Sequence, residues 1–143
     1  MLQGELRGRQ LKIQNEKLKI KFEMDIDLAE RLFLFAVRVI KFNRALPNEP
    51  EFNNIRFQLS KSSSSSGANY EEAQSAYSKQ DFLFKIDISL REMRESNYWL
   101  RLINATLDFE GELKIEIIQL IKESAELKNI LGKIASSTRN NLK

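Results

Sequence analysis

The stretch from Asp81 to Ile103 constrains the fold more than any other part of the sequence, because it contains neither glycine nor proline. Within and just beyond it, one series of residues recurs at alternating steps of four and three, the spacing that places side chains on one face of an α-helix. That series is Phe82, Ile86, Ser89, Met93, Ser96, Leu100, Ile103 and Leu107. Further apolar residues widen the face, so the helix has to be covered on more than one side. The stretch therefore predicts a buried helix in an all-α protein.

Three other segments carry the same spacing. We expect Asp25 or Asp27 to cap the first helix, and the residue before Pro47 to end it. Ser78 and Asp81 fit the S-x-x-D signal at the start of the third. The predicted helices cover about 26–45, 51–77, 79–108 and 112–137, and 138–143 form a frayed tail. The sequence therefore predicts an up-down-up-down four-helix bundle over 25–137.

Residues 1–24 are predicted to form an extended arm ahead of the bundle. From Lys17 to Ile26 charged and apolar residues alternate strictly, which is the period of a β-strand. The arm also carries six Lys or Arg against three Glu. Three interpretations stay open: the arm packs on the bundle or a neighbouring subunit, it binds nucleic acid, or it is a disordered tail.

The run Ser62–Ser66, followed by Gly67, is ambiguous from composition. Serine and glycine are typical of a flexible linker. The heptad spacing of the second helix nevertheless continues through the run, which favours a helix of small residues that another helix approaches closely. Each serine costs about 0.5 kcal/mol and the glycine about 1 kcal/mol relative to alanine, so packing has to offset that loss.

The sequence lacks the residues on which most catalytic and metal sites depend. Cysteine and histidine are absent, which excludes disulfides and thiolate ligands and removes the usual general base near neutral pH. Glu92 and Glu95 lie one turn apart, but di-metal bundles use Glu-x-x-His. Neither a phosphate-binding glycine loop nor a G-x-S-x-G motif occurs. We expect no enzyme, no cofactor, no metal and no small-molecule substrate.

The sequence also favours a cytoplasmic protein without a membrane partner. Its longest apolar run, residues 32–37, is too short to span a bilayer. We recognise no secretory signal, and the absence of cysteine fits a reducing compartment.

A polar layer is predicted between the second and third helices, with Lys85 paired to an acid because buried charge needs a partner. Such a layer would fix the register of the two helices. Its members are Asn69, Glu72, Lys85 and Glu92.

Apolar residues outside the predicted core indicate an oligomer interface. The first helix carries a second apolar stripe beside its core stripe, which suggests a surface that a partner covers. Tyr98 and Trp99 could stack on nucleic-acid bases, although aromatic residues in an apolar helix more often belong to a core or an interface. The interface candidates are Phe33, Val37, Ile40, Tyr98 and Trp99.

Several segments between residues 25 and 110 carry a specific signal. They are DLAER at 27–31, Leu46-Pro47, SSGANYEEA at 65–73, SKQDF at 78–82 and ESNYWLRL at 95–102. In this order they resemble the four-helix-bundle family of 23S ribosomal RNA intervening-sequence proteins. The resemblance implies that the serine run is helical and that the protein is a homopentameric ring. A related pentameric family serves reverse transcriptases of diversity-generating elements as an accessory protein, which implies a nucleic-acid or polymerase partner.

Positive charge is the remaining functional signal. One chain has a net charge of +3, and five would carry about +15. The nucleic-acid candidates are Arg7, Arg9, Lys12, Lys17, Lys19, Lys21, Lys128 and Lys133. We expect a non-enzymatic oligomeric accessory protein that contacts the phosphates of RNA or DNA. The alternative is a structural module that recruits a protein such as a reverse transcriptase without touching nucleic acid.

Overall fold

The computed structural model describes the backbone of residues 2–143 and the side chains of residues 2–19 and 28–143. The described backbone is all-α, without a strand. Its helices are α1 (Leu2–Asn43), α2 (Pro50–Ala73), α3 (Lys79–Thr106) and α4 (Gly111–Asn141). The chain divides after Arg31 into two compact units, so that α1 contributes to both.

The N-terminal unit is helical, and the predicted extended arm is wrong for residues 2–24. Helix α1 passes without a break through Asp25 and Asp27, so neither residue marks a helix start. The alternation of charged and apolar residues from Lys17 was expected to bury its apolar members. Leu18, the member whose side chain is described, is 65% exposed. Leucine, lysine, glutamate and glutamine are good helix formers, and their propensity prevails over a short alternation. The apolar members Ile20, Phe22, Met24 and Ile26 lie outside the described side chains.

In the second unit, residues 32–43 of α1 run antiparallel to α2. A methyl group placed on Gly67 would lie 3.5 Å from the Cβ of Leu32, so the two helices approach closely at this point. At the other end of the contact, the side-chain amide of Asn43 donates to Ser60 Oγ at 2.8 Å. The added methyl group would make ordinary van der Waals contact, so α1 and α2 are packed side by side along this segment.

Arg56 of α2 holds the turn that follows α1. Its Nε donates to the carbonyl of Asn43 at 3.1 Å, and its Nη2 donates to the carbonyls of Leu46 and Pro47 at 2.8 and 3.1 Å. Carbonyls at a helix C-terminus have no partner within the helix. The Arg56 guanidinium group supplies such a partner for the carbonyl of Asn43, and it also binds the carbonyls of the turn that follows.

Helices α2 and α3 are joined by buried serines. Ser62 Oγ and Ser96 Oγ lie 2.8 Å apart. One helical turn along, Ser66 Oγ donates to the carbonyl of Ser89 at 2.8 Å, and Ser89 Oγ donates back to the carbonyl of Ser66 at 2.7 Å. All four side chains are at most 1% exposed. The helical interpretation of the serine run is therefore confirmed, and the linker interpretation is wrong.

Helix α4 packs antiparallel to α3 and also contacts α1. The side-chain amide of Asn97 donates to Ser124 Oγ at 2.9 Å, and Lys114 Nζ donates to Asn104 Oδ1 at 2.9 Å nearer the α3–α4 turn. On the other side of α4, a 2.9 Å ion pair joins Arg38 to Glu116. Among the described residues, α4 therefore has contacts with both α3 and α1.

The core follows the predicted spacing in most positions. Its fully buried apolar side chains include Leu32, Val39, Leu59, Ile86, Met93, Leu100, Ile103, Ile117, Leu120, Leu127 and Leu131. As predicted, Ser78 caps α3, its hydroxyl accepting the amide of Asp81 at 3.1 Å.

Two helix ends differ from the prediction. Helix α2 ends at Ala73, because Gln74 and Ser75 bond three residues back and so tighten the chain into a turn. Helix α4 continues to Asn141 instead of fraying after residue 137. Arg139 holds its last turn through a 2.9 Å ion pair with Asp87 of α3.

Candidate oligomer and nucleic-acid interfaces

A groove between α1 and α2 exposes apolar side chains to solvent. Phe33, Val37 and Ile40 line it from α1, and Gly67 and Ala68 line it from α2. The groove encloses about 280 Å³. Phe33 is 58% exposed and Ile40 is 41% exposed. The structure thus brings three of the predicted interface residues together at one site.

The small residues of α2 create this groove. Ser64, Gly67 and Ala68 face the larger α1 side chains, so the α2 side of the groove is low. Among the described residues that line it, Glu71 alone is charged. The groove is therefore an apolar depression with a carboxylate in its lining.

The other two interface candidates lie on α3, away from this groove. Tyr98 is 50% exposed. Its ring packs edge-on against Trp99 at a centroid distance of 5.3 Å, and the guanidinium carbon of Arg101 lies 6.0 Å from its centroid. Trp99 is half-buried, and its indole N–H donates to Glu95 Oε1 at 3.1 Å.

A second groove, between α3 and α4, is basic. Lys128 and Lys133, both predicted nucleic-acid candidates, line it together with Arg94. The groove encloses about 470 Å³, and Gly132 is among its lining residues. The sequence did not single out Arg94, because its place in the groove depends on how α3 pairs with α4.

The remaining nucleic-acid candidates lie on the N-terminal part of α1. Arg7, Arg9, Lys12, Lys17 and Lys19 are all exposed. Successive helical residues turn by about 100°, so these five side chains point in different directions around the helix. The side chain of Lys21 lies outside the described residues.

Of the predicted polar layer, the pairing of Lys85 with an acid between α3 and α2 is confirmed. Lys85 Nζ pairs with Glu72 Oε2 at 2.6 Å, and the Glu72 side chain is 60% exposed, so this pair lies at the surface. Asn69 donates within α2, to the carbonyl of Ser65 at 2.9 Å. The buried hydrogen bonds between α2 and α3 are instead donated by the hydroxyls of serines such as Ser66 and Ser89.

Glu92 is half-buried on α3 and has an altered acidity. Burial, and secondarily the charge of Glu95, raises the pKa of its carboxyl above the ordinary value of 4.5, while Arg91 and Lys61 act against the rise. Among the described residues, no three acidic side chains gather to hold a metal ion. In the same part of the chain, no helix has the length and apolarity needed to cross a membrane.

The described residues thus form a helical protein with an apolar groove between α1 and α2 and a basic groove between α3 and α4. The chain belongs to the family of 23S rRNA-intervening sequence proteins, which it matches over residues 24–133. The resemblance read from its motifs is thus confirmed, and most of the N-terminal unit lies outside the matched region. A search of the curated proteins finds none that matches.

A crystal structure from Bacteroides thetaiotaomicron is similar to the chain. It is a protein of unknown function from the S23 ribosomal protein family. The two sequences are 31% identical, the TM-score is 0.68, and the match covers 78% of this chain and 97% of the other.

Proposed function

We propose that this chain is a non-enzymatic protein that assembles into a ring and associates with nucleic acid. Its second unit is, in this proposal, an up-down-up-down four-helix bundle. The antiparallel contacts of α2 with α1 and with α3, and of α4 with α3, support that arrangement. The ion pair between Arg38 and Glu116 supports closure of the bundle between α1 and α4.

The observation that carries the proposal is the apolar groove between α1 and α2. Phe33 and Ile40 each keep about half of their side-chain surface in water in a single chain, so burial on assembly yields part of the full transfer free energy. Fully burying one such side chain contributes about 1.5–3 kcal/mol, so a partner that fills the groove is favoured. An apolar depression of this kind is typical of a protein contact surface.

A second copy of the chain offers a complementary surface. Ile115 and Ile118 of α4 are 59% and 51% exposed and lie three residues apart, so they form a short apolar ridge. Lys122, one turn further on, is also exposed and can pair with Glu71 in the groove of the next copy. Because groove and ridge lie on different helices, we propose a head-to-tail contact that repeats from copy to copy and whose rotation closes a ring. Five copies are the number that the family resemblance implies.

Charge reversal tests this contact. Glu71→Lys and Lys122→Glu should each shift the assembly toward the monomer in sedimentation velocity, and the double variant should restore it. Glu51→Lys is the matched control, because Glu51 is an exposed acid on the same helix outside the groove. If neither single variant shifted the assembly toward the monomer, or if the double variant restored no assembly, the ridge would not be the occupant of the groove.

Association with nucleic acid is the second half of the proposal. The basic groove and the exposed cations of α1 support it. A gel shift with a 20-nucleotide RNA should appear at 50 mM salt and weaken steeply by 200 mM, because phosphate contacts release counterions. The absence of a shift at 50 mM would contradict this half and leave the assembly standing.

A protein-recruiting module without nucleic-acid contact is the second candidate. One observation favours it: Tyr77 is fully exposed and Phe84 is 63% exposed, and both line a cavity of about 360 Å³ near the α2–α3 turn. Exposed aromatic side chains often anchor protein partners, and the resemblance implies a reverse transcriptase as one such partner. Binding through these rings should change little between 50 and 200 mM salt.

A further inference from the structure

We infer that the groove between α3 and α4 is a binding site for the backbone of a nucleic acid, whose phosphates contact Arg94, Lys128 and Lys133. The inference rests on the proposed association with nucleic acid and names the site at which it occurs. The ligand class is a strand of phosphodiesters, bound without reading its base sequence.

The charge of the groove selects an anion. The three cations come from two helices, and the neighbouring Asn129 and Ser136 add neutral hydrogen-bond donors. No carboxylate is among the described residues that line the groove. Three cations facing one depression repel each other until an anion enters, so the groove favours a polyanion over water.

Two acidic residues of α3 have hydrogen-bond partners outside the groove. Asp87 accepts two hydrogen bonds from Arg139 Nη2, at 2.9 and 3.1 Å. Glu95, next to Arg94 in sequence, accepts from the Trp99 indole. These two carboxylates therefore have partners other than the groove cations.

The dimensions fit a strand rather than a single ion. Lys128 and Lys133 lie five residues apart on α4, or about 7.5 Å along the helix axis. Two cations separated in this way can contact neighbouring phosphates of one strand, whereas a single small anion offers them one charge to share. Gly132 lies between the two lysines in sequence, and a methyl group placed on it would meet nothing within 4 Å. The nucleic-acid backbone can therefore approach the helix at this position.

The groove offers no means of reading bases. No aromatic side chain is among the described residues that line it, and stacking is the main way in which proteins hold unpaired bases. Lysine contacts to phosphate position a strand but carry no sequence information. We therefore expect similar affinities for unstructured strands of different sequence.

Fluorescence anisotropy with a labelled 20-nucleotide unstructured RNA, in salt from 50 to 200 mM, tests the site. The groove variant carries Arg94→Gln, Lys128→Gln and Lys133→Gln. The matched variant carries Arg7→Gln, Arg9→Gln and Lys12→Gln, which remove the same charge from α1. Circular dichroism and light scattering establish that both variants keep the fold and the assembly of the natural chain.

The groove variant should bind RNA at least tenfold more weakly at 50 mM salt. Its slope of log affinity against log salt should fall by about 2, since each single-strand phosphate contact contributes about 0.7. The matched variant should lose much less. A larger loss of affinity in the matched variant than in the groove variant would place the RNA backbone on α1. That result would overturn the groove as the binding site and leave the proposed function intact. No binding by the natural chain would overturn both, and equal binding of poly-L-glutamate would overturn nucleic acid as the ligand.

Discussion

At the scale of single residues, we expect alanine substitution of two glycines to change the free energy of unfolding in opposite directions. Gly111 begins α4 with φ at +61°, a region that L side chains rarely adopt, so Gly111→Ala should lower the free energy of unfolding by about 1 kcal/mol. Gly67 lies inside α2, where a methyl group would make only ordinary contacts of 3.5–3.6 Å with Leu32. Gly67→Ala should raise the free energy of unfolding by about 0.5–1 kcal/mol through helix propensity. Urea unfolding measures both, and a loss at Gly67 would contradict the packing described here.

Glu92 gives the second residue-scale prediction, a dependence of stability on pH. Because the folded state raises the pKa of this carboxyl, the folded chain binds the proton more tightly than the unfolded chain does. The resulting stabilisation is complete below about pH 4.5 and is lost as the pH rises through the folded pKa.

Glu92→Gln copies the protonated form. Its advantage over the natural chain should therefore be absent near pH 4, grow with rising pH and level off by pH 7. The gain should stay below about 1 kcal/mol, because the carboxyl remains partly in water. Thermal unfolding at pH 4, 5.5 and 7 measures it, with Glu51→Gln as the exposed control. An advantage at pH 4 that disappears at pH 7 would reverse the assigned shift.

At the scale of helices, the contact between α2 and α3 depends on small side chains. Ser66 is fully buried and exchanges hydrogen bonds with Ser89. Ser66→Ala should cost only about 0.5 kcal/mol, because alanine's helix propensity offsets part of the lost hydrogen bond. Ser66→Leu should cost about 1–3 kcal/mol, because a larger side chain has to separate the helices. Equal losses in urea unfolding would show that the hydroxyl, and not the size, is what matters.

The helices themselves could be predicted where their side chains are buried. The four-three spacing through Ile86, Met93 and Leu100 predicted α3 because burial in a helical core imposes that period. The spacing of Ser62 and Ser66 favoured a helix through the serine run, but composition left a linker open, and the family resemblance decided between them. The N-terminal part of α1 could not, because its exposed side chains carry no packing signal.

The sites depend on pairings between helices, which a linear pattern does not contain. The sequence predicted the α1 side of the apolar groove, as the second apolar stripe with Phe33 and Ile40. Its α2 side could not be predicted, because it depends on the antiparallel pairing of α1 with α2. Arg94 was missed for the same reason, since only the packing of α3 on α4 places it beside Lys128. The pairing of Lys85 with an acid could be predicted, but the exposure of its partner Glu72 could not, because it depends on how α2 and α3 face each other.

For the whole molecule, the proposed function links assembly and nucleic-acid binding through the number of copies. One chain has a net charge of +3 and presents one basic groove, which makes a weak polyanion binder. A ring that carries several grooves can engage one strand at several points, which raises the affinity without any new contact. Variants that separate the copies should therefore weaken RNA binding even when the basic groove is unchanged.

Sedimentation equilibrium of the natural chain at 1–50 µM tests assembly through the apolar groove most directly. One chain has a mass of 16.7 kDa. We predict a discrete species of about five times that mass, and its conversion to the single-chain mass by Val37→Glu with helical content retained. A natural chain that sediments as a single copy throughout this range would contradict the account.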